Sequence, residues 1–559
     1  MTSREQHLQL RLLVDVQQAS SLTRRDLEAE TRAALGTGWT VTRLFPHSPE
    51  PGLARHWVVS GDVPVSPAYP PAPLAYDLAA ALAQRIGHPV EPDLPSSAFG
   101  PEPGADFTAA AEFAAESGAA PARHLDGSTA KDWALKKIKA TQAWDRAVPS
   151  GGSSRGRGVL IGHIDTGYSD HPDLERSALD LTRDLDVVDG DDDARDPLTR
   201  RWWWPLDSPG HGTLTGSVIA SRVGRDIVGA APEVTLLPVR AVRSVVQVFD
   251  ADVARAVDHA RRSGCHVITM SLGGRGFIGL QDVIRRAVAE GIIVMAAAGN
   301  EVGFVVAPAV YPECLAVAAS NADDKPWAGS SRGDAVDISA PGESVWVARV
   351  DSPGQFRPDR SSGTSFAVAH LAAVAALWVA FHGADAIRRR YGRERVQDAF
   401  LSLVRSTCHT PADWDGSQYG AGIVDADALL AAGLPRTAPD DLAAVPQFDA
   451  LRQFDALRRI TAAFPDLPRG TAAARLATRF GVDRTALPDV LAQHSSELVY
   501  LLGENPERAG ALLAPAPAPA PAIASVTALR RAAGGGAAVA WPGMSRQLSA
   551  ALADADDFP

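Results

Sequence analysis

The chain has 559 residues, of which 46% are hydrophobic and 21% charged, a balance typical of a globular protein with a sizeable core. Its net charge of −12 argues against nucleic-acid binding by phosphate neutralisation, and three scattered cysteines (Cys265, Cys314, Cys408) exclude a disulfide framework or a zinc cluster. The N-terminus lacks the apolar core of a signal peptide and no stretch approaches the length of a membrane-spanning helix, so we expect a soluble, cytoplasmic protein. The alternative is secretion by an unrecognised route.

The first region, residues 1–95, reads as a small α+β domain. In chain order we predict a strand at 8–16, a helix at 23–35, strands at 39–45 and 55–61, a helix at 74–86 and a short strand at 88–95. The order βαββαβ is typical of a ferredoxin-like sandwich. Residues 96–130, rich in Ala, Gly, Pro and Glu, are predicted to be a linker.

The middle region, residues 131–434, alternates buried-strand runs with helical patterns. The apolar runs lie at 158–165, 234–242, 266–272, 291–299 and 314–320, and helical spacing occurs at 250–264 and 280–291. This alternation predicts an α/β fold, a doubly wound, mostly parallel sheet with helices on both faces. In such sheets functional groups collect at the carboxyl ends of the strands.

The last region is predicted to be a helical extension at 435–513, followed by a spacer and weakly ordered tail at 514–559. Its sequence "QFDALR" occurs twice in tandem, at 447–452 and 453–458, and two copies indicate one amphipathic helix rather than a repeat array. The alternating Ala-Pro run at 514–522 is typical of a semi-rigid spacer.

Four polar residues stand at strand ends or helix starts of the middle region: Asp165, His211, Asn300 and Ser365. Taken singly, each has an ordinary interpretation as a turn or capping residue. Their chemistry is nevertheless complementary. A serine hydroxyl needs an imidazole base, the imidazole needs a carboxylate that holds its tautomer, and a tetrahedral intermediate needs oxyanion donors. Asn300 and the backbone N–H of Ser365 would supply those donors.

The segments "IDTGYSDHPDL", "GHGTLTGSVIA", "MSLGG", "AAAGNE" and "SSGTSFAVAH" resemble, in order, the signature blocks of the subtilisin-like serine proteases (subtilases) over roughly residues 133–432. The resemblance implies that Asp165 is the orienting carboxylate, His211 the general base and acid, Ser365 the nucleophile and Asn300 the oxyanion donor. It also implies that Ser271, Leu272 and Gly273 bind an extended peptide substrate along an edge. The enzyme would then be an endopeptidase that needs no cofactor.

The same resemblance implies a precursor. Many subtilases carry a ferredoxin-like pro-domain that assists folding and inhibits the enzyme until it is cleaved, and residues 1–95 have the corresponding predicted topology. The segment 301–313 resembles the primary pocket region of the family and is apolar, which predicts a hydrophobic P1 residue. One departure is Ala369, since the family usually has proline four residues after the nucleophile. Alanine forms helix well, so we expect the nucleophile's geometry to survive.

Alternative functions have local support. "GRGFIG" at 274–279 matches a dinucleotide-binding fingerprint, with Glu301 about twenty residues on. A catalytically silent subtilase-like binding module is a further alternative. His163, Asp165, Asp170 and His171 are close enough in sequence to suggest a metal site, and His163 and Asp165 share one face of the strand. The seven aspartates within 184–196 could bind a structural Ca²⁺, although the EF-hand spacing is absent.

Overall fold

The computed structural model describes residues 6–17, 20, 22–65, 71–94, 130–149, 151–199, 207–246, 248–301, 304–434 and 469–487, with a few positions between 490 and 548. The chain forms two compact units, one of residues 1–46, 54–94 and 446–559 and the other of residues 47–53 and 95–445. The predicted linker up to residue 129, the "QFDALR" repeat and the Ala-Pro spacer lie outside the described residues.

The first unit contains a four-stranded antiparallel sheet of strand order β2-β3-β1-β4. The elements in chain order are β1 (Gln6–Asp15), α1 (Arg24–Leu35), β2 (Thr40–Arg43), β3 (His56–Val65), α2 (Pro71–Ile86) and β4 (Val90–Pro92), that is, βαββαβ. Helix α1 begins at a capping box in which Thr23 and Asp26 satisfy each other's backbone N–H groups. The core of the sandwich is formed by fully buried side chains that include Leu12, Leu27 and Leu82.

The second unit is built on a seven-stranded sheet of order β11-β10-β9-β8-β5-β7-β6, in which every described pairing is parallel. Its strands are β5 (Leu160–Asp165), β6 (Leu185–Asp186), β7 (Thr235–Arg240), β8 (Val267–Met270), β9 (Ile293–Ala297), β10 (Leu315–Ser320) and β11 (Ile338–Pro341). An antiparallel hairpin follows, formed by β12 (Val345–Ser352) and β13 (Gln355–Ser361). The predicted α/β fold class is confirmed.

Helices cover this sheet and the hairpin. The longer ones are α3 (His211–Ala220), α4 (Asp250–Arg262), α5 (Ile278–Ala289), α6 (Thr364–His382), α7 (Ala384–Tyr391) and α8 (Val396–Thr407). Shorter ones are Pro51–Ala54, Trp133–Lys137, Ala140–Trp144, Gly416–Tyr419 and Ala426–Ala431, and Arg469–Arg479 belongs to the first unit. The predicted helices at 250–264 and 280–291 correspond to α4 and α5.

Helix α6 is the central helix of the second unit. It packs against β8, β9, β10 and β11, and its residues from Thr364 to Phe381 are all buried. With 19 residues and a mean hydropathy of 1.8 it is long and apolar enough to cross a membrane, so our expectation that no stretch approaches that length was wrong. Its apolar window is 100% buried inside the unit, as is usual for a core helix.

His370 on α6 makes the stability of this unit dependent on pH. Its Nδ1 donates to the carbonyl oxygens of Phe366 (2.9 Å) and Pro341 (3.0 Å), and burial lowers the pKa of the imidazole to about 4 from an ordinary value of 6.5. Between pH 6.5 and 4, His370 is therefore protonated in the unfolded chain but not in the folded chain. We expect this group alone to remove about 3 kcal/mol of stability as the pH falls from 7 to 4.

The measurement is urea unfolding of the wild type and of His370→Asn at pH 7 and pH 4. Asparagine places an amide donor near the position of Nδ1 but does not titrate. The variant should lose about 3 kcal/mol less than the wild type over this interval. An equal loss in both proteins would contradict the assignment.

Candidate active site

The predicted functional residues lie at the carboxyl edge of the seven-stranded sheet. Asp165 is the last residue of β5, Ser271 directly follows β8, and Asn300 comes three residues after β9. His211 begins α3, and Ser365 is the second residue of α6. Because all these strands are parallel, their carboxyl ends meet at one edge, as the sequence predicted.

Asp165 and His211 form a buried hydrogen-bonded pair. His211 Nδ1 donates to Asp165 Oδ1 over 2.7 Å, and the backbone N–H of Thr166 donates to the same oxygen over 2.7 Å. Burial raises the pKa of Asp165, but the neighbouring imidazole of His211, its hydrogen bond and the other polar contacts outweigh this and hold the pKa below its usual value. The carboxylate is therefore ionised, and it keeps the proton of His211 on Nδ1, which leaves Nε2 as the basic nitrogen.

A glycine allows this pair to form. A Cβ atom added to Gly212 would lie 2.0 Å from the carbonyl oxygen of Gly167, so only glycine lets the start of α3 approach the loop that follows Asp165. The Gly212 N–H also donates to Thr166 Oγ1 over 3.1 Å. The first turn of α3 is thus fixed against the end of β5.

Ser365 lies at the N-terminal turn of α6 and lines a cavity of about 350 Å³, including its open mouth. The other lining residues are Val245, Val246, Ser271, Leu272, Gly273, Ala297, Gly299, Asn300, Val306 and Thr364. N–H groups in the first turn of a helix have no intrahelical partner and face the positive end of the helix dipole. This position therefore favours negative charge that develops beside Ser365.

Among the described residues, no hydrogen bond joins the Ser365 hydroxyl to His211. In the described part of the chain, its hydrogen bond is a long one, to the carbonyl oxygen of Ser271 at 3.5 Å. The imidazole of His211 is nevertheless close, since its ring centroid lies 6.4 Å from that of Phe366, the residue after Ser365. Catalytic hydrogen bonds are often long or absent in ligand-free structures and shorten when the substrate is bound.

The side chain of Asn300 has a fixed orientation. Its Oδ1 accepts from the backbone N–H of Thr364 (2.9 Å) and from Thr364 Oγ1 (2.8 Å). Because both contacts are donors, the oxygen must face Thr364 and the NH₂ group is left for the cavity that Ser365 lines. The fixed amide of Asn300 can therefore donate a hydrogen bond to a group bound in the cavity.

The structure thus places Ser365, Asn300, Ser271, Leu272 and Gly273 around one cavity, and it joins Asp165 to His211. Three further residues of the site were not predicted from the sequence. Thr215 contacts Asp165, Thr364 contacts Asn300 and Val306 lines the cavity. Thr215 could have been found, because a residue four positions after His211 lies on the same helix face. Val306 offered no such signal, since its place in the cavity depends on a loop whose path the sequence does not reveal.

The two metal hypotheses receive no support. Asp170 pairs with Arg176 and Arg195, while His171 Nδ1 accepts the Asp173 N–H, so the proposed ligands do not converge with His163. In the 184–196 loop, Asp186 and Asp189 both pair with Arg240, and Asp184 accepts the Ala194 N–H. These three loop carboxylates therefore face a protein cation or a backbone amide. The described ranges contain no group of three or more His, Cys, Asp or Glu able to hold a metal.

The glycines of "GRGFIG" have a packing role. A Cβ atom on Gly276 would lie 2.1 Å from the Tyr311 hydroxyl, and one on Gly274 would lie 2.9 Å from Asp250 Oδ1. Side chains of the protein therefore pack directly against both glycines, which gives the glycines a structural reason without a ligand. The geometry does not favour dinucleotide binding.

Comparison with known proteins places this site in a family. The model of the subtilase family matches residues 156–405. Thermitase from Thermoactinomyces vulgaris is 33% identical over 275 residues, which cover 48% of this chain and 89% of thermitase. An intracellular serine protease from Paenibacillus polymyxa is 32% identical, over 44% of this chain and 71% of that protein. A solved structure of a protease from Pseudoalteromonas arctica is 26% identical with a TM-score of 0.43, over 54% of this chain and 97% of that one.

The fold and the site define a serine peptidase of the subtilase class, and the chain belongs to the subtilase family. It is a serine endopeptidase, a hydrolase of peptide bonds in proteins or peptides. Members of this family need no organic cofactor.

Proposed function

We propose that this endopeptidase cleaves peptide bonds through an acyl-enzyme formed on Ser365. The observation that carries the proposal is the 2.7 Å hydrogen bond between His211 Nδ1 and Asp165 Oδ1. A buried carboxylate there orients an imidazole near the helix turn that bears a cavity-lining serine. This is the arrangement that makes a serine hydroxyl nucleophilic.

The reaction proceeds in two halves. Ser365 Oγ bonds to the scissile carbonyl carbon while its proton moves to His211 Nε2, and the resulting imidazolium is stabilised by Asp165. The oxyanion accepts hydrogen bonds from the Asn300 amide and the Ser365 N–H. The C–N bond then breaks as His211 returns the proton to the leaving amine, and water hydrolyses the ester by the same route.

Covalent labelling tests this proposal. A fluorophosphonate probe reacts with activated serines, so the purified protein should gain one probe, mapped by mass spectrometry to Ser365. Ser362→Ala is the matched control, because Ser362 lies two residues before the start of α6 and its Oγ accepts the Ser344 N–H over 2.9 Å. This variant should label like the wild type. A wild type that does not react would favour the alternative, a catalytically silent binding module.

The cavity suggests which P1 side chains are accepted. No charged side chain occurs among its described lining residues, which supports an apolar P1 residue. Val306 limits its size. The two γ carbons of Val306 lie 2.6 and 3.0 Å from where Cβ atoms of Gly273 and Gly299 would be, so this side chain fills the space between two walls.

We therefore expect Val306→Gly to enlarge the P1 pocket. The ratio of kcat/KM for a phenylalanine P1 substrate to that for an alanine P1 substrate should rise about tenfold, since pocket volume discriminates on this scale. Val305→Ala is the control, because Val305 is buried but does not line the cavity, and it should keep the wild-type ratio. An unchanged ratio of the two kcat/KM values in Val306→Gly would exclude this pocket assignment. A strict preference for Lys or Arg at P1 in a peptide library would exclude it as well.

We also propose that the enzyme is made as a precursor whose N-terminal unit is a pro-domain. The βαββαβ order and the separate core of that unit support this. A segment from the same part of the chain, residues 47–53, belongs to the second unit. There Ser48 Oγ donates to Asp258 over 2.7 Å and Glu50 pairs with Arg261 over 3.2 Å.

Intact mass tests the precursor. The wild type should lose an N-terminal piece that ends between about residues 95 and 130, because the predicted linker lies there. Ser365→Ala should stay whole, and Ser362→Ala should be processed like the wild type. If the wild type also stays whole, self-processing is wrong even where Ser365 reacts with the probe.

A further inference from the structure

Two polar side chains lie near Oδ2 of Asp165, the carboxylate oxygen that does not accept from His211 Nδ1. Thr215 Oγ1 lies 3.0 Å from Asp165 Oδ2, and His163 Nε2 lies 2.9 Å from Thr215 Oγ1. Both side chains are buried, with 3% of His163 and none of Thr215 exposed. His163 is two residues before Asp165 on β5, and Thr215 is four residues after His211 on α3. The acylation mechanism uses neither residue.

The direction of these hydrogen bonds follows from the charge on Asp165. An ionised carboxylate only accepts, so the Thr215 hydroxyl must give its one hydrogen to Oδ2. The lone pairs of Thr215 Oγ1 then accept from His163 Nε2–H. The other acceptors near Thr215 are more distant, namely the carbonyl oxygens of His211 (3.3 Å) and Gly212 (3.4 Å). Burial lowers the pKa of His163, in keeping with a neutral ring that carries its proton on Nε2.

We propose that His163 and Thr215 are a pair of positioning residues that hold the Asp165 carboxylate in its catalytic orientation. The proposal rests on the function proposed above, in which Asp165 orients His211. Because His163 Nε2 donates to Thr215 Oγ1, the threonine hydroxyl directs its own hydrogen to Asp165 Oδ2. Oδ1 meanwhile accepts from His211 and from the Thr166 N–H, so both oxygens of the carboxylate are satisfied.

The pair has two effects on catalysis. Without a donor to Oδ2, half of a fully buried carboxylate would lack a hydrogen bond, and the carboxylate would rotate away from His211 to find one. A donor at Oδ2 also withdraws negative charge from the carboxylate. Loss of the donor should therefore strengthen the attraction between Asp165 and the proton on His211 as well as disturb the orientation of the imidazole. A residue that only fills space would have neither effect.

The experiment compares Thr215→Val with Thr215→Ser, and His163→Leu with His163→Gln. The first of each pair removes the hydrogen bond, whereas serine keeps the hydroxyl and the glutamine amide can reach the position of Nε2. We measure kcat, KM and their pH profiles on a fluorogenic peptide, and the rate of fluorophosphonate labelling. Thr215→Val and His163→Leu should lower kcat and the labelling rate about tenfold with KM nearly constant, and should move the acidic limb of kcat/KM to higher pH.

The conservative variants should restore most of the activity and the wild-type pH profile. The double variant His163→Leu/Thr215→Val should be no slower than the slower single variant, because the two residues act through one hydrogen bond to Asp165. If the apolar variants do not fold, His163→Asn replaces them. Its amide reaches the position of Nδ1 and not that of Nε2, so it should be as slow as the leucine variant was expected to be.

Three results would contradict the proposed positioning role of His163 and Thr215. They are an unmoved acidic limb in Thr215→Val, equal rates for His163→Gln and His163→Asn, or additive losses in the double variant. Each would assign these residues to packing alone while Ser365 still reacts with the probe. A wild type that neither reacts nor hydrolyses peptides would instead remove the proposed function, and this proposal with it.

Discussion

Replacing Ser365 by alanine should lower kcat for peptide hydrolysis by about a millionfold, the largest effect we expect from any single substitution. The loss is this large because the carbonyl carbon then has no activated nucleophile, although the oxyanion donors remain. Ser365 lines the cavity at the start of α6, and alanine is a good helix residue that leaves the buried helix unchanged. The folded state should therefore survive the substitution.

The measurement is the rate of cleavage of fluorescently labelled casein, with urea unfolding as the check on folding. Ser271→Ala is a demanding control, because Ser271 lines the same cavity and its hydroxyl donates to the Ser365 carbonyl oxygen over 3.1 Å. We expect that variant to remain within about tenfold of the wild type, as for the loss of one neutral hydrogen bond. A Ser365→Ala variant that stays within about tenfold of the wild type would mean that Ser365 is not the nucleophile.

Replacing Asp165 by asparagine should lower kcat by about ten-thousandfold while the fold is retained. Oδ1 of the carboxylate accepts two hydrogen bonds of 2.7 Å, from His211 Nδ1 and from the Thr166 N–H. The other oxygen, Oδ2, accepts from Thr215 Oγ1 over 3.0 Å. An amide has one oxygen and one NH₂ group, so it cannot accept hydrogen bonds at both positions. If the NH₂ group faces His211, it binds the Nδ1 lone pair and moves the ring proton to Nε2, where the base is needed.

The matched control is Asp170→Asn. Asp170 lies five residues further along, is solvent-exposed and pairs with Arg176 and Arg195, so its loss should change kcat by less than about twofold. Both variants are assayed on the same fluorogenic peptide over a range of pH. An Asp165→Asn variant within tenfold of the wild type would show that the carboxylate does not set the tautomer of His211.

Much of the fold could be predicted because its signals are local. The apolar run at 158–165 ends in Asp165, and the structure has β5 ending at that residue. The α+β order of the first 95 residues was also readable from alternating periods of two and 3.6. The carboxyl edge of a parallel sheet then brings residues from distant parts of the sequence together. Polar residues that are each ordinary in the sequence could therefore be predicted to form one site.

The remaining features depend on contacts that no local pattern encodes. His163 was a metal candidate in the sequence, since it shares a strand face with Asp165, but its hydrogen bond goes to Thr215 on another element. The aspartates of the 184–196 loop could bind a cation or remain a solvated loop, and in the structure Asp186 and Asp189 pair with Arg240, about fifty residues later. In both cases the deciding partner is remote in sequence, and charge or spacing along the chain cannot identify it.

The placement of the nucleophile on α6 links activity to the integrity of the whole second unit. Ser365 is on the first turn of the helix that forms the centre of the core, and the following residues are buried without interruption to Phe381. The helix that carries Ser365 therefore cannot open without disrupting the packing of four strands, so the amides of its interior turns belong to the last cooperative group to exchange. The enzyme should remain fully active until the unit melts and then lose activity and structure together.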